Sequence, residues 1–83
     1  MTESLNQDPY TPIACARYSE YELAILHRQK LHLRWREDNV HYDQVVVPLD
    51  LKTANHEEFL VCRNMTGETL TIRLDHIQRM ETA

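Results

Sequence analysis

The side chains best suited to chemistry here are five histidines and two cysteines, Cys15 and Cys62. Zinc sites draw on close ligand pairs such as C-x2-C or H-x3-H, and the sequence has neither. His27 and His32 stand five apart across an expected junction between two elements, so the histidines read as surface residues and no metal site is expected. Nucleophilic catalysis would set Ser or Cys beside His and an orienting carboxylate on a strained elbow within a larger scaffold. Nucleotide chemistry would need several glycines so that backbone amides can approach phosphates. The single glycine, Gly67, falls in a stretch that reads as a hairpin turn. No catalytic residue and no cofactor are therefore expected, and the chain reads as a non-enzyme.

Binding surfaces remain. Tyr18, Ser19, Glu20, Tyr21 and Glu22 concentrate acidic and aromatic groups at one point, a combination suited to docking on an arginine-rich partner. Lys30, Arg34 and Arg36, joined by Arg28, form the only basic stretch. Small barrels bind single-stranded RNA when cations and aromatic rings share a face. Alternation puts Trp35 on the side opposite these cations, so a solvated strand face is the favoured reading and direct RNA binding the alternative. Lys and Arg number 9 against 13 Asp and Glu, a net charge of -4 that argues against a general nucleic-acid binder.

The elements that must position these groups are legible in part. Ser19 followed by Glu22 fits a capping box, which predicts a helix beginning at Ser19 with Tyr18 and Leu23 as its hydrophobic staple. Winding it to Gln29 at about 100 degrees per residue gathers Tyr18, Tyr21, Leu23, Ile25 and Leu26 on one arc, with Glu20, His27 and Arg28 outside. The period then becomes two, with Leu31, Leu33 and Trp35 facing one way and Lys30, His32, Arg34 and Arg36 the other. Asp38-Asn39 suits a tight turn into a strand from about His41 to Leu51, in which Pro48 marks an edge or a bulge. Lys52 to Glu57 reads as a polar loop, and Phe59 to Cys62 as a strand covered on both faces. After a turn at Asn64 to Gly67, Thr69 to Leu74 alternates, with Leu70, Ile72 and Leu74 inward and Arg73 outward. A corner at Asp75 to Ile77 leads into a last strand through Met80. The expected fold is mainly β: one helix packed on about five antiparallel strands in meander order, curled into a small barrel.

With 83 residues and 9.9 kDa, the chain is expected to form one folding unit. Residues 1–12 are expected to be a flexible arm, and residues 13–83 a single helix-plus-barrel domain. No uninterrupted apolar run exceeds four residues, so neither a membrane span nor an export signal is expected. The two cysteines then read as reduced thiols in the cytosol, both as small core residues. Pro48 would spoil one potential open edge, so a monomer is expected when the protein is free.

Tyr10-x-Pro12-Ile13-x-Cys15, then Tyr18 with Glu22-Leu23-Ala24, and finally Gly67-Glu68 with Arg73-Leu74-Asp75-x-Ile77 resembles the Rho-binding antiterminator family known as Rof or YaeO. The resemblance spans nearly the whole chain after Gln7. It implies an N-terminal helix on an Sm-like, SH3-like barrel that inhibits Rho-dependent transcription termination. It further implies that the protein binds Rho and occludes the primary RNA-binding site in the N-terminal domain of each subunit, with no nucleic acid bound directly. An acidic protein is steered towards such a basic surface and repelled by the RNA itself. Carried over by position, the contacts would be Tyr18, Ser19 and Glu22 at the helix start and Asn55 and His56 in the loop. Two departures matter: family members carry a pair of acids where this chain has Ala16-Arg17, and a more basic loop than Thr53 to His56. The acidic contact would therefore rest on Glu20 and Glu22.

Overall fold

The computed structural model describes residues 9–83; the part of the expected arm before Pro9 lies outside the described residues. Helix α1 (Cys15–His27) is followed by β1 (Leu31–Glu37), β2 (Val40–Ala54), β3 (Glu57–Asn64) and β4 (Thr69–Arg73). A short 3-10 turn (Leu74–His76) then leads into β5 (Ile77–Thr82). All five strands belong to one antiparallel sheet in the order β4-β3-β2-β1-β5, curled like a barrel but not closed.

Two tight turns set the register. Asp38 and Asn39 have φ of 50 and 65 degrees, and Asn55 and His56 have 52 and 64, the paired left-handed residues of a hairpin turn whose twist matches that of its strands. The first turn is the one expected from Asp-Asn. The second corrects the polar loop expected over Lys52 to Glu57: β2 runs to Ala54, β3 starts at Glu57, and Lys52 pairs with Phe59. Two residues suffice to reverse the chain, so the remaining four stay in the ladder. Pro48 sits in a strand flanked on both sides, and the ladder accommodates it by a bulge. Pro48 opposes Cys62 and Asp50 opposes Val61, leaving Leu49 unopposed and changing which alternate residues face inward.

The core is Leu31, Leu33 and Trp35 of β1 with Val46, Leu60, Cys62, Ile72, Leu74 and Ile77, capped by Tyr21 and Ala24 of α1. Each fully buried leucine or isoleucine contributes roughly 1.5–3 kcal/mol relative to exposure. Cys62 is in this core, but Cys15 is exposed at the helix start, against the expectation that both are internal.

Helix α1 begins about a turn before Ser19. Its N-cap is Ala14, which makes no side-chain cap; the Tyr18 amide donates to the Ala14 carbonyl at 3.0 Å. The capping box at Ser19 is not formed, because Ile13 packs against the core and fixes the chain's entry upstream. The helix buries only a narrow stripe, Tyr21 and Ala24 with Tyr18 and Ile25 beside them, so Leu23 and Leu26 face away from the core. The helix ends at Arg28, left-handed at φ 52 degrees, with the Gln29 amide donating to the Ala24 carbonyl at 2.9 Å.

Arg73, expected outward, is 8% exposed. Its Nε donates to Asp75 Oδ1 at 2.6 Å and its Nη2 to Asp75 Oδ2 at 2.8 Å, with Nη2 also reaching the Pro9 carbonyl at 3.3 Å. The Tyr10 ring lies 5.6 Å from the guanidinium, and the Thr11 amide donates to Asp75 at 2.8 Å. Residues 9–11 thus form a strap across the Arg73–Asp75 ion pair, and with Glu57 3.4 Å from Nη1 the arginine has enough partners to be buried.

Burial alone would raise the Asp75 carboxyl, but hydrogen bonds from Arg73 and Thr11, with the charges of Arg73 and His76, hold it below the usual range. A depressed carboxyl contributes stability that is present above the unfolded-state pKa of about 3.9 and is lost as pH falls through the folded value. Arg73→Met is expected to cost about 3–5 kcal/mol at neutral pH by leaving a buried carboxylate unpaired. Urea unfolding as a function of pH checks the linkage: Asp75→Asn should start less stable and lose less below pH of about 4 than the parent. Parallel losses in the two proteins would contradict it.

Candidate functional site

Tyr21, fully buried, sets how α1 is turned. At about 100 degrees per residue, Glu22 then lies on one flank and Glu20 on the other, with Ser19 and Leu23 pointing away from the core. Ser19, Glu20 and Glu22 are exposed and Tyr18 is half-buried. Tyr21 is the exception among the expected contact residues: its ring lies under the helix rather than on the surface. Burial pushes its hydroxyl up to about 12, and the positive charge of Arg17 acts in the opposite direction.

Tyr18 marks where the charges gather. Its hydroxyl is raised above the usual tyrosine value, first by burial and then by the negative charges of Glu58, Glu22 and Asp50. Glu22 is one helical turn from Tyr18 on the same side, Asp50 is exposed beside the Pro48 bulge, and Glu58 stands near the start of β3. Glu58 also accepts the Tyr10 hydroxyl at 2.8 Å. Asn55 and His56 are exposed at the tip of the hairpin that carries Glu58, just beyond the Ala54–Glu57 pair. Helix start and hairpin are therefore linked through Glu58. Glu20 is separate, on the flank of α1 that faces β5.

Three members of this neighbourhood, Tyr10, Asp50 and Glu58, escape sequence reasoning about the site. Pro48 signals a bulge, but not the direction in which the bulge turns Asp50. Glu58 follows a stretch that looks like loop, and nothing local ties it to Tyr10 or Tyr18.

The arrangement can attract and orient a cationic surface; it cannot perform nucleophilic chemistry through Cys62, whose thiol is pushed up to about 11 by burial. On β1 and β5, Arg34 and Arg79 already have acidic partners, while Arg36 is exposed. Asp43 contacts His32 and, at 3.4 Å, Arg34, while Arg79 reaches Glu81 at 2.6 Å. Trp35 is 3% exposed and stacks on Tyr42 at 5.2 Å, away from those cations as alternation requires.

The gathering of acids around Tyr18 has a direct readout. In a residue-resolved NMR titration, Tyr18 is expected to ionise above the ordinary value of about 10, and Glu22→Gln or Asp50→Asn to bring its midpoint down. A midpoint indifferent to both substitutions would show that these carboxylates do not surround it.

Among solved structures, the fold is similar to part of proteasome accessory factor B/C (PafBC) of Arthrobacter aurescens, with a TM-score of 0.72 and 19% identity over 87% of this chain. The chain spans 12% of that protein's length, and at this identity the likeness concerns the fold alone. No curated protein sequence matches the chain. The sequence pattern of one family covers residues 12–83, from just after the strap through α1 to the end of β5. The chain belongs to this family, ROF, the modulators of Rho-dependent transcription termination.

Proposed function

We propose that this chain inhibits Rho-dependent termination by binding Rho at the primary RNA-binding site of its N-terminal domain, so that the transcript cannot load. The observation that carries the reading is the cluster of Glu22, Asp50 and Glu58 around Tyr18, next to the exposed Asn55–His56 turn. A groove that holds RNA phosphates is cationic, and a protein of net charge -4 with three carboxylates gathered around Tyr18 is drawn into it and repelled by the RNA. Tyr18, Ser19, Glu22, Asn55 and His56 make the contact, joined by Glu20 from the far flank of the helix; Tyr21 acts from beneath by holding the helix in place. The protein works as a monomer in the cytosol, without cofactor or catalysis. Among the described residues no helix is long and apolar enough to cross a membrane.

Direct RNA binding by Lys30, Arg34 and Arg36 is the weaker reading, since Asp43 engages Arg34 and Trp35 is in the core. The two are separated by a pull-down of purified Rho with and without excess oligo(dC). The competitor should release the protein from Rho, and Glu22→Lys should weaken the complex by about tenfold or more, against about twofold or less for Arg34→Glu. A complex indifferent to oligo(dC), or equal losses from the two substitutions in folded proteins, would overturn the proposal.

A further inference from the structure

Two leucines on the outward face of α1 take no part in the barrel. Leu23 is 55% exposed and Leu26 73%, and they stand three residues apart, away from the Tyr21–Ala24 stripe. One exposed leucine is ordinary. This pair, however, is bracketed by Glu20 on one flank and Glu22 on the other, and Leu23 borders a groove of about 380 Å³ between α1 and β5. Leu31 and Met80 also line this groove. Helix α1 packs chiefly on β2, so its β5 side is left open.

We propose that Leu23 and Leu26 are the apolar anchors of the Rho interface, and that the groove beside them receives an apolar side chain from the same Rho surface. This rests on the docking reading above. Charge and continuity identify the occupant. Leu23 follows Ser19, and Leu26 follows Glu22, by about one turn of the same helix, so a partner that places cations against both glutamates also covers the apolar strip between them. The complementary surface is an apolar seat with a cationic rim. A nucleic-acid strand fits poorly, because Glu20 and Glu22 would repel its phosphates. The division of labour follows from general interface physics: the carboxylates accelerate encounter and select the partner, while apolar burial at the centre slows dissociation.

Surface plasmon resonance of the full chain on intact Rho tests this. Leu23→Ser and Leu26→Ser should each weaken binding by about tenfold, mainly through faster dissociation, while Leu23→Met and Leu26→Met stay within about twofold. Circular dichroism should show unchanged helix content, since neither side chain supports the core. Serine variants that bind within about twofold of the parent while Glu22→Lys loses binding would overturn the apolar anchors and leave the docking reading intact. If Glu22→Lys also bound like the parent, the docking reading itself would fail. A free protein that sediments as a dimer and is dissociated by the two serine substitutions would assign the leucines to a second copy of the chain, and would likewise overturn the proposal.

Discussion

The burial of Tyr21 is the constraint on which the rest depends. Its ring lies between α1 and the barrel with no exposed surface, and one buried side chain per helical turn is enough to fix the rotation of a short helix. Once that rotation is fixed, Glu20 and Glu22 must lie on opposite flanks and Ser19, Leu23 and Leu26 must face water. The surface that a partner would meet follows from what the core takes away. Ala24, one turn on from Tyr21 and 6% exposed, holds the same rotation and lets the helix approach closely.

Two further devices bring distant acids to that helix. The bulge at Pro48 turns Asp50 outward beside α1, and the Arg73–Asp75 ion pair holds residues 9–11 across the strands, which places the Tyr10 hydroxyl on Glu58. Neither is local in the chain. Both tie barrel groups to the start of the helix, where Glu22, Asp50 and Glu58 surround Tyr18, while on β1 and β5 Arg34 is matched by Asp43 and Arg79 by Glu81. Carboxylates therefore gather beside Tyr18, although the composition shows only a modest net value.

How much of this can be read from the residues depends on how local the deciding interaction is. The alternation of Leu31, Leu33 and Trp35 survives in the structure because β1 is buried on one face only, and Asp38-Asn39 makes its turn because both residues tolerate positive φ. The family resemblance places the helix on its barrel correctly. The capping pattern at Ser19 misleads, because the anchoring of Ile13 settles where the helix starts. Arg73 reads as outward since it alternates with buried neighbours; the partner that completes its burial, the Pro9 carbonyl, is 64 residues away in sequence. His56 is a poor signal for a left-handed turn, so two strands look as though they end early. Leu23 and Leu26 look like core because a helix read alone cannot reveal how narrow a stripe its neighbour will cover.

Hydrogen exchange of the free and Rho-bound protein, followed amide by amide, tests the central claim most directly, because it reports which face is covered without altering a residue. The account requires added protection along α1 from Tyr18 to Leu26 and at the Asn55–His56 turn, with β1 from His32 to Arg36 unchanged. Protection confined to β1 and β5, with α1 exchanging as it does in the free protein, would contradict it.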